Sequence, residues 1–359
     1  MRGLWLLAVA CLALAVAPAS EAAKAWSPLE VDVWDPPFNS ERKRRMETYA
    51  ALDRAAKAWR ICVAIPHLKD AYWNAVNFAV IDAAKRLGVA VRLYEAGGYA
   101  GLDVQRQQIE ECMGSGADGL IIGSISADGL NDLVDRYAAE GKPVIDLING
   151  MSAGGITARA AVDFWDNANQ AGEYLKKSIA SPDRALRVAW FPGPRGAGWS
   201  AAGDTGLRAA AADGGIEIVD TRWGDTGRAA QAELVQAALA AHPDIDVVLG
   251  TAVTAEAAVD ILRQTGLTKT IRVMAYYYSP GVHSGIRRGQ ILAAPSDQQA
   301  IQTRLAMDLV VRAMEGKPYP RHVAPRVVVV DRDSMRTFDA SSSLPPRGFR
   351  PIFSVDDWQ

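Results

Sequence analysis

From Trp59 onward the chain alternates short apolar runs with amphipathic stretches, and no other feature restricts the fold as tightly. Residues 61–65 read as a buried strand, and 72–87 as an amphipathic helix stopped by Gly88. Strands follow at 89–93, 119–122 and 143–147, with helices at 103–113 and 130–140 between them. The rhythm then restarts, with strands at 159–162, 187–191, 216–221, 247–250 and 271–275. Helices around 168–178, 199–213, 229–241 and 255–264 separate these. Strands joined through helices run parallel and need cover on both faces. The predicted fold is therefore α/β: two doubly wound parallel-sheet lobes with a hinge, and a cleft between them. At 359 residues the chain exceeds what one core usually serves.

The two ends break the rhythm. Met1-Arg2-Gly3 is a short positive start, 4–16 carry no charge, and small residues fill 17–23. That order predicts a secretory signal peptide over 1–22, cut near Ala22 or Ala23, and hence a periplasmic protein. Cys11 raises a lipoprotein site, but Ala8-Val9-Ala10 before it lacks the favoured leucine, so ordinary cleavage is expected. Later segments are too short and too charged to span a bilayer. Residues 34–38 read as an extended arm and 41–45 as a charged helix. After Asp331 the chain turns to Ser, Pro and Gly and is expected to lie along the surface.

Composition excludes several functions. With 39 basic and 41 acidic residues there is no excess charge to hold nucleic acid or anionic lipid. The four histidines and two mature thiols lack ligand spacing, so neither metal nor cofactor is expected. Gly193 to Gly198 follows a strand and precedes a helix, yet matches neither the dinucleotide fingerprint nor the P-loop. No Gly-x-Ser-x-Gly elbow occurs, and an enzyme is not predicted. In a sheet of order 2-1-3 the helix crossing from strand two to strand three passes over strand one. That helix bears Cys112 and strand one bears Cys62, so the two thiols can meet inside one lobe, and a disulfide is expected over two buried free thiols.

Ligands of doubly wound lobes meet the loops at the carboxyl ends of strands. Those loops carry Asp70, Tyr72, Trp73, Asn149, Phe164, Trp165, Thr251, Tyr277 and Asp297, the candidate ligand-binding residues. In Tyr276-Tyr277-Tyr278 strand alternation sends Tyr277 opposite to its neighbours. Asp70 and Asp297 also suit helix caps, and for each both roles stay open.

The whole pattern resembles the type I periplasmic binding proteins, the ribose-binding and LacI-like group. The resemblance implies three crossings between lobes, the third over 291–297. It divides the chain into an N-terminal arm at 23–57, an N-terminal lobe at 58–158 and 297–322, a C-terminal lobe at 159–296 and 323–333, and a tail at 334–359. Residues 68–73, 95–99 and 242–248, with Ser296-Asp297-Gln298 and Gly348-Phe349-Arg350-Pro351, are similar to the sensory branch of that family. Cys62 and Cys112 also stand at that branch's positions. Its members take trimethylamine N-oxide and dock on the sensor domain of a histidine kinase, which the resemblance implies as ligand and partner. By position Tyr72, Trp73, Phe164 and Tyr277 are the implied pocket. The branch has Pro-Trp where this chain has Asp163-Phe164. Phe164 keeps a ring face but loses the N–H donor, so either the ligand is a related methylated or sulfoxide compound, or Trp165 substitutes. The alternative is a sugar-type receptor of an ABC transporter.

Overall fold

The computed structural model describes residues 26–181, 183–356 and 358; the expected signal peptide, with Cys11 and the first residues of the arm, lies outside them. Strands β1 (Leu29–Trp34), β2 (Arg44–Tyr49), β3 (Arg60–Ile65), β4 (Ala90–Glu95), β5 (Gly119–Ile122), β6 (Val144–Leu147) and β7 (Ala158–Ala160) lead the chain. Helices α1 (Ala71–Leu87), α2 (Leu102–Gly114) and α3 (Asn131–Ala139) connect β3 through β6. The central strands pair in parallel in the order β4-β3-β5-β6-β7. Alternation along β3 sends Ile61, Val63 and Ile65 into one core layer and Cys62 and Ala64 into the other. The second layer also holds Ile109, Cys112 and Met113 of α2. Cys62 and Cys112 are joined there as a disulfide, their Cα atoms 6.0 Å apart, as the crossover predicts.

The second lobe is a smaller parallel sheet of order β11-β10-β8-β9. It comprises β8 (Leu186–Phe191), β9 (Ile216–Thr221), β10 (Val247–Gly250) and β11 (Arg272–Ala275). Helices α4 (Phe164–Ile179) and α5 (Gly198–Ala211) pack together on it, as do α6 (Arg228–Ala241) and α7 (Ala252–Thr265), and α8 (Pro280–Arg287) leans on α7. The chain then returns through β12 (Ala293–Ser296), α9 (Gln299–Met314), β13 (His322–Pro325) and β14 (Val328–Asp331). Helix α9 lies against α1 and the large sheet, while β12 and β14 form a two-stranded ribbon packed against α4.

Three readings of the sequence change. The charged stretch 41–45 is no helix: β1 and β2 form an antiparallel hairpin, Leu29 opposite Tyr49 and Trp34 opposite Arg44, paired through β1 with β13. Its charges pair across strands and loops, Arg44 with Asp32 at 3.4 Å and Arg45 with Asp35 at 2.7 Å, so they serve an edge strand as well as a helix face. Residues 159–160 and 323–325, grouped above with the second lobe, belong to the large sheet, because β7 pairs in parallel with both β6 and β13. The tail does more than cover the surface. It ends in β15 (Ser354–Val355), an added antiparallel strand on β4.

Candidate functional site

Strand ends from both lobes converge on a small cavity. The first lobe contributes Asp70, Tyr72, Trp73, Tyr99, Ile148 and Asn149. The second contributes Phe164, Trp199, Thr226 and Tyr277. Local sequence explains how each large ring is seated. Asp70 caps α1 by accepting the Tyr72 backbone N–H at 2.9 Å, which starts the helix with both aromatics at the cleft. A Cβ on Gly123 would stand 2.7 Å from the far edge of Trp73, so only glycine leaves that ring its place. Gly193 does the same for Trp199, where the clash would be 2.5 Å and φ is +113°.

The rings touch in a closed circuit. Trp73 meets Tyr72 at 5.6 Å, Tyr72 meets Tyr277 at 5.3 Å, and Tyr277 meets Trp199 at 5.9 Å between centroids. Trp199 continues to Tyr99 at 5.9 Å, Tyr99 to His67 at 5.5 Å, and His67 returns to Trp73 at 6.5 Å. Phe164 packs on Trp199 at 5.5 Å.

Behind this ring the polar groups are sorted by sign. Tyr277 donates its hydroxyl to Asp70 Oδ2 at 2.7 Å across the cleft. Tyr72 donates to Asp297 Oδ2 at 2.5 Å, and Gln302 Nε2 supports the same oxygen at 2.6 Å. Asp297 Oδ1 is buried without a hydrogen-bond partner. Burial pushes both carboxyls up to about 6, against the opposing pull of these donors. Each is ionised at neutral pH, held behind a tyrosine ring.

Donors occupy the opposite side. The Tyr99 hydroxyl accepts Asn149 Nδ2 at 3.1 Å and Trp199 Nε1 at 2.9 Å, which leaves its own proton to give. Among the described residues neither that proton nor the Trp73 indole N–H meets a protein acceptor. His67 is held neutral, burial lowering it to about 4. Its Nδ1 accepts the Asp70 backbone N–H at 3.4 Å, so Nε2 donates to Thr226 Oγ1 at 3.0 Å. The cavity thus has neutral aromatic faces backed by carboxylates, and uncommitted O–H and N–H donors from Tyr99 and Trp73.

Of the residues expected from sequence, Asp70, Tyr72, Trp73, Asn149, Phe164 and Tyr277 meet at the cavity, and Asp297 stands directly behind Tyr72. Asp297 caps no helix through its side chain, since Gln298 is the cap residue of α9. Two do not join. Trp165 lies beneath the Arg42 guanidinium at 4.3 Å, and Thr251 caps α7 by accepting the Thr254 N–H at 3.0 Å. Sequence reasoning missed Tyr99, Trp199, Thr226 and Ile148. Trp199 and Tyr99 follow the strands predicted at 187–191 and 89–93, and their aromatic type was the available signal.

The periplasmic binding protein domain model matches residues 61–318. The chain belongs to the periplasmic binding protein family. It is 36% identical to the periplasmic protein TorT of Escherichia coli K12 over 84% of this chain and 86% of the relative. An ABC transporter solute binding protein from Bradyrhizobium, solved with bound bis-tris, is 45% identical, covers 92% of this chain and 99% of its own, and superimposes with TM-score 0.80. The complex of the TorS sensor domain with TorT in the presence of TMAO matches with 29% identity, TM-score 0.74, and 82% and 99% coverage. The family carries no catalytic assignment, and its two-lobed architecture is the one described above.

Proposed function

We propose that this periplasmic binding protein captures trimethylamine N-oxide, or a similarly compact methylated solute, in the aromatic ring and signals its presence to the sensor domain of a histidine kinase. No catalytic step is part of this reading. The observation that carries it is the sorting of charge around the cavity. A methylated nitrogen bears diffuse positive charge and offers no N–H, so aromatic faces attract it by about 0.5–2 kcal/mol each. The faces of Tyr72 and Tyr277 are enriched by hydroxyls committed to carboxylates. The N-oxide oxygen is a strong acceptor, and the Tyr99 and Trp73 protons are the free donors to meet it. The space between rings whose centroids stand only 5.3 to 6.5 Å apart is small, which favours a compact solute.

The partner comes by likeness to TorT, whose solved complexes contain the TorS sensor domain. In the lobe division proposed here, β3 through β7 with α9 and β13 form one body and α4 through β11 the other. The Tyr277–Asp70 and Trp199–Tyr99 bonds tie these bodies together. A partner that prefers the closed arrangement reads occupancy through these contacts.

A second reading, a transport receptor, rests on the Bradyrhizobium relative and its bound bis-tris, itself a tertiary amine. Calorimetric titration with trimethylamine N-oxide, dimethyl sulfoxide, betaine and common sugars tests the ligand class. Binding of methylated solutes alone is expected, and binding of a sugar alone would refute the reading. Co-purification of the mature protein with the periplasmic domain of a neighbouring histidine kinase, rather than with a permease, is the expected result for the partner.

A further inference from the structure

The aromatic ring has a second space behind it. An outer chamber of about 340 Å³ touches the same Ile148, Asn149, Phe164 and Trp199 that wall the inner cavity. These four side chains are the shared partition. It includes an unusual backbone position, since Ile148 is β-branched and has φ +67° while Asn149 N–H bonds back to the Leu147 carbonyl at 2.7 Å. Such a tight turn is strained for isoleucine and is held by surrounding structure.

The outer chamber sets a few polar groups among apolar walls, where the inner cavity is ringed by aromatics. Its floor is His322, stacked on Trp34 at 3.9 Å. His322 Nε2 donates to the Ala161 carbonyl at 3.1 Å, so Nδ1 is an acceptor, and it is buried with no partner. Arg159 uses Nε on Asp146 at 2.5 Å and Nη2 on the Met151 carbonyl at 2.5 Å. Among the described residues its Nη1 meets no protein acceptor, and the Asn149 Oδ1 meets no donor. Phe38 and Ser40 of the N-terminal hairpin form the outer lip.

We propose that the outer chamber is a second subsite, which receives a polar arm attached to the caged nitrogen, so that ligands include hydroxylated or carboxylated alkylammonium compounds. This rests on the aromatic-ring reading of the inner cavity. Phe164 lines both spaces, so a larger side chain there fills part of the room between them. The head group is selected by the ring, and the arm by donors and acceptors that a bare N-oxide leaves unused.

The test is calorimetry with trimethylamine N-oxide (no arm), carnitine (a hydroxylated and carboxylated arm) and butyltrimethylammonium (an apolar arm). Carnitine is expected to bind the native protein within about tenfold of the N-oxide or tighter, and at least about tenfold tighter than the butyl compound. Ser40→Trp, at an exposed lip position, is expected to weaken carnitine about tenfold and leave the N-oxide within about twofold. Phe164→Trp fills part of that room and is expected to weaken carnitine selectively as well. The subsite is refuted if the N-oxide binds while carnitine does not, or if both variants leave carnitine unchanged. If no methylated head group binds at all, the ring reading fails first and the subsite falls with it.

Discussion

The two lobes share an architecture but are reinforced very differently. The large sheet gains a hairpin on one edge, a tail strand on the other and a disulfide beneath its centre. The small sheet has four strands, and no cysteine lies beyond Cys112. Chemistry divides along the same line. The first lobe holds Asp70 and the free donors of Trp73 and Tyr99, whereas the second brings Phe164, Trp199 and Tyr277. A braced half that holds the carboxylate and the free donors, together with the rings of Tyr72, Trp73 and Tyr99, thus faces a lighter half that adds three more rings. The hairpin belongs to the first lobe yet grips the second, through Arg42 on Asp163 at 2.8 Å and Arg44 on Asp166 at 2.5 Å, both at the start of α4.

The sharpest way to separate the lobes is to remove the disulfide. It closes a loop with a sequence separation of 50 residues, which corresponds to about 4 kcal/mol of lost unfolded-chain entropy. Cys62→Ser with Cys112→Ser is expected to lower denaturant stability by about that amount, seen by calorimetry as an earlier transition of the first lobe alone. A single shifted transition for the whole chain would show that the lobes unfold as one unit and would break the comparison.

Next in size is the bond that crosses the cleft. Tyr277→Ala removes a ring face and leaves the buried Asp70 without its hydroxyl donor. Together these are worth about 2–4 kcal/mol, or about thirty- to thousandfold in affinity. Tyr277→Phe keeps the face and is expected to lose about tenfold to a hundredfold. Equal affinities for the two variants would assign the whole effect to the hydrogen bond, and unchanged affinity in both would move the ligand elsewhere.

The pH dependence sets the carboxylates apart from the rings. Asp70 and Asp297 are raised to about 6, so they are charged above that pH and neutral below it. A cation bound beside them is held most tightly above pH 6 and loses affinity as pH falls through 6, by about tenfold per unit for each proton taken up. Tetramethylammonium, whose charge does not titrate, isolates this effect. Asp70→Asn is expected to flatten the profile. Stability of the empty protein runs the other way. A folded-state pKa above the unfolded one means the native state holds more protons between about pH 4 and 6, so stability falls as pH rises through that window. Affinity and stability moving together across pH 5–6.5 would exclude these two groups as the cause.

How much of this could be read from sequence follows from where the information sits. Strands such as β3 and β5 are apolar runs buried on both faces, and α1 is bounded by Asp70 and by Gly88 in the left-handed conformation, so these elements are legible. The hairpin was not, because Glu41 to Arg45 reads as a charged helix, although Val31 and Val33 alternate inward with period two. Within the site, Asp163 decides between neighbours. It accepts the Trp165 N–H at 2.9 Å and makes Phe164 the first residue of α4. One step along a helix turns a side chain about 100°, which takes Trp165 out to Arg42 while Phe164 faces the cavity. Tyr99 and Trp199 come from different lobes, and their meeting depends on closure that no local pattern encodes.

The smallest expected effect concerns the rim. Lys69 reaches across the cleft to Asp225 at 2.5 Å, each side chain about a third exposed. Such pairs contribute about 0–1 kcal/mol and are screened by salt. Lys69→Ala is therefore expected to weaken ligand binding by no more than about fivefold at low ionic strength, with little difference from the native protein in 0.5 M salt, about the regime where screening acts within a few ångströms. The buried crossings at Tyr277 and Trp199 are not screened in this way. If Lys69→Ala instead matched the Tyr277→Ala loss and kept it in salt, closure would be governed at the rim, and the buried contacts would only follow it.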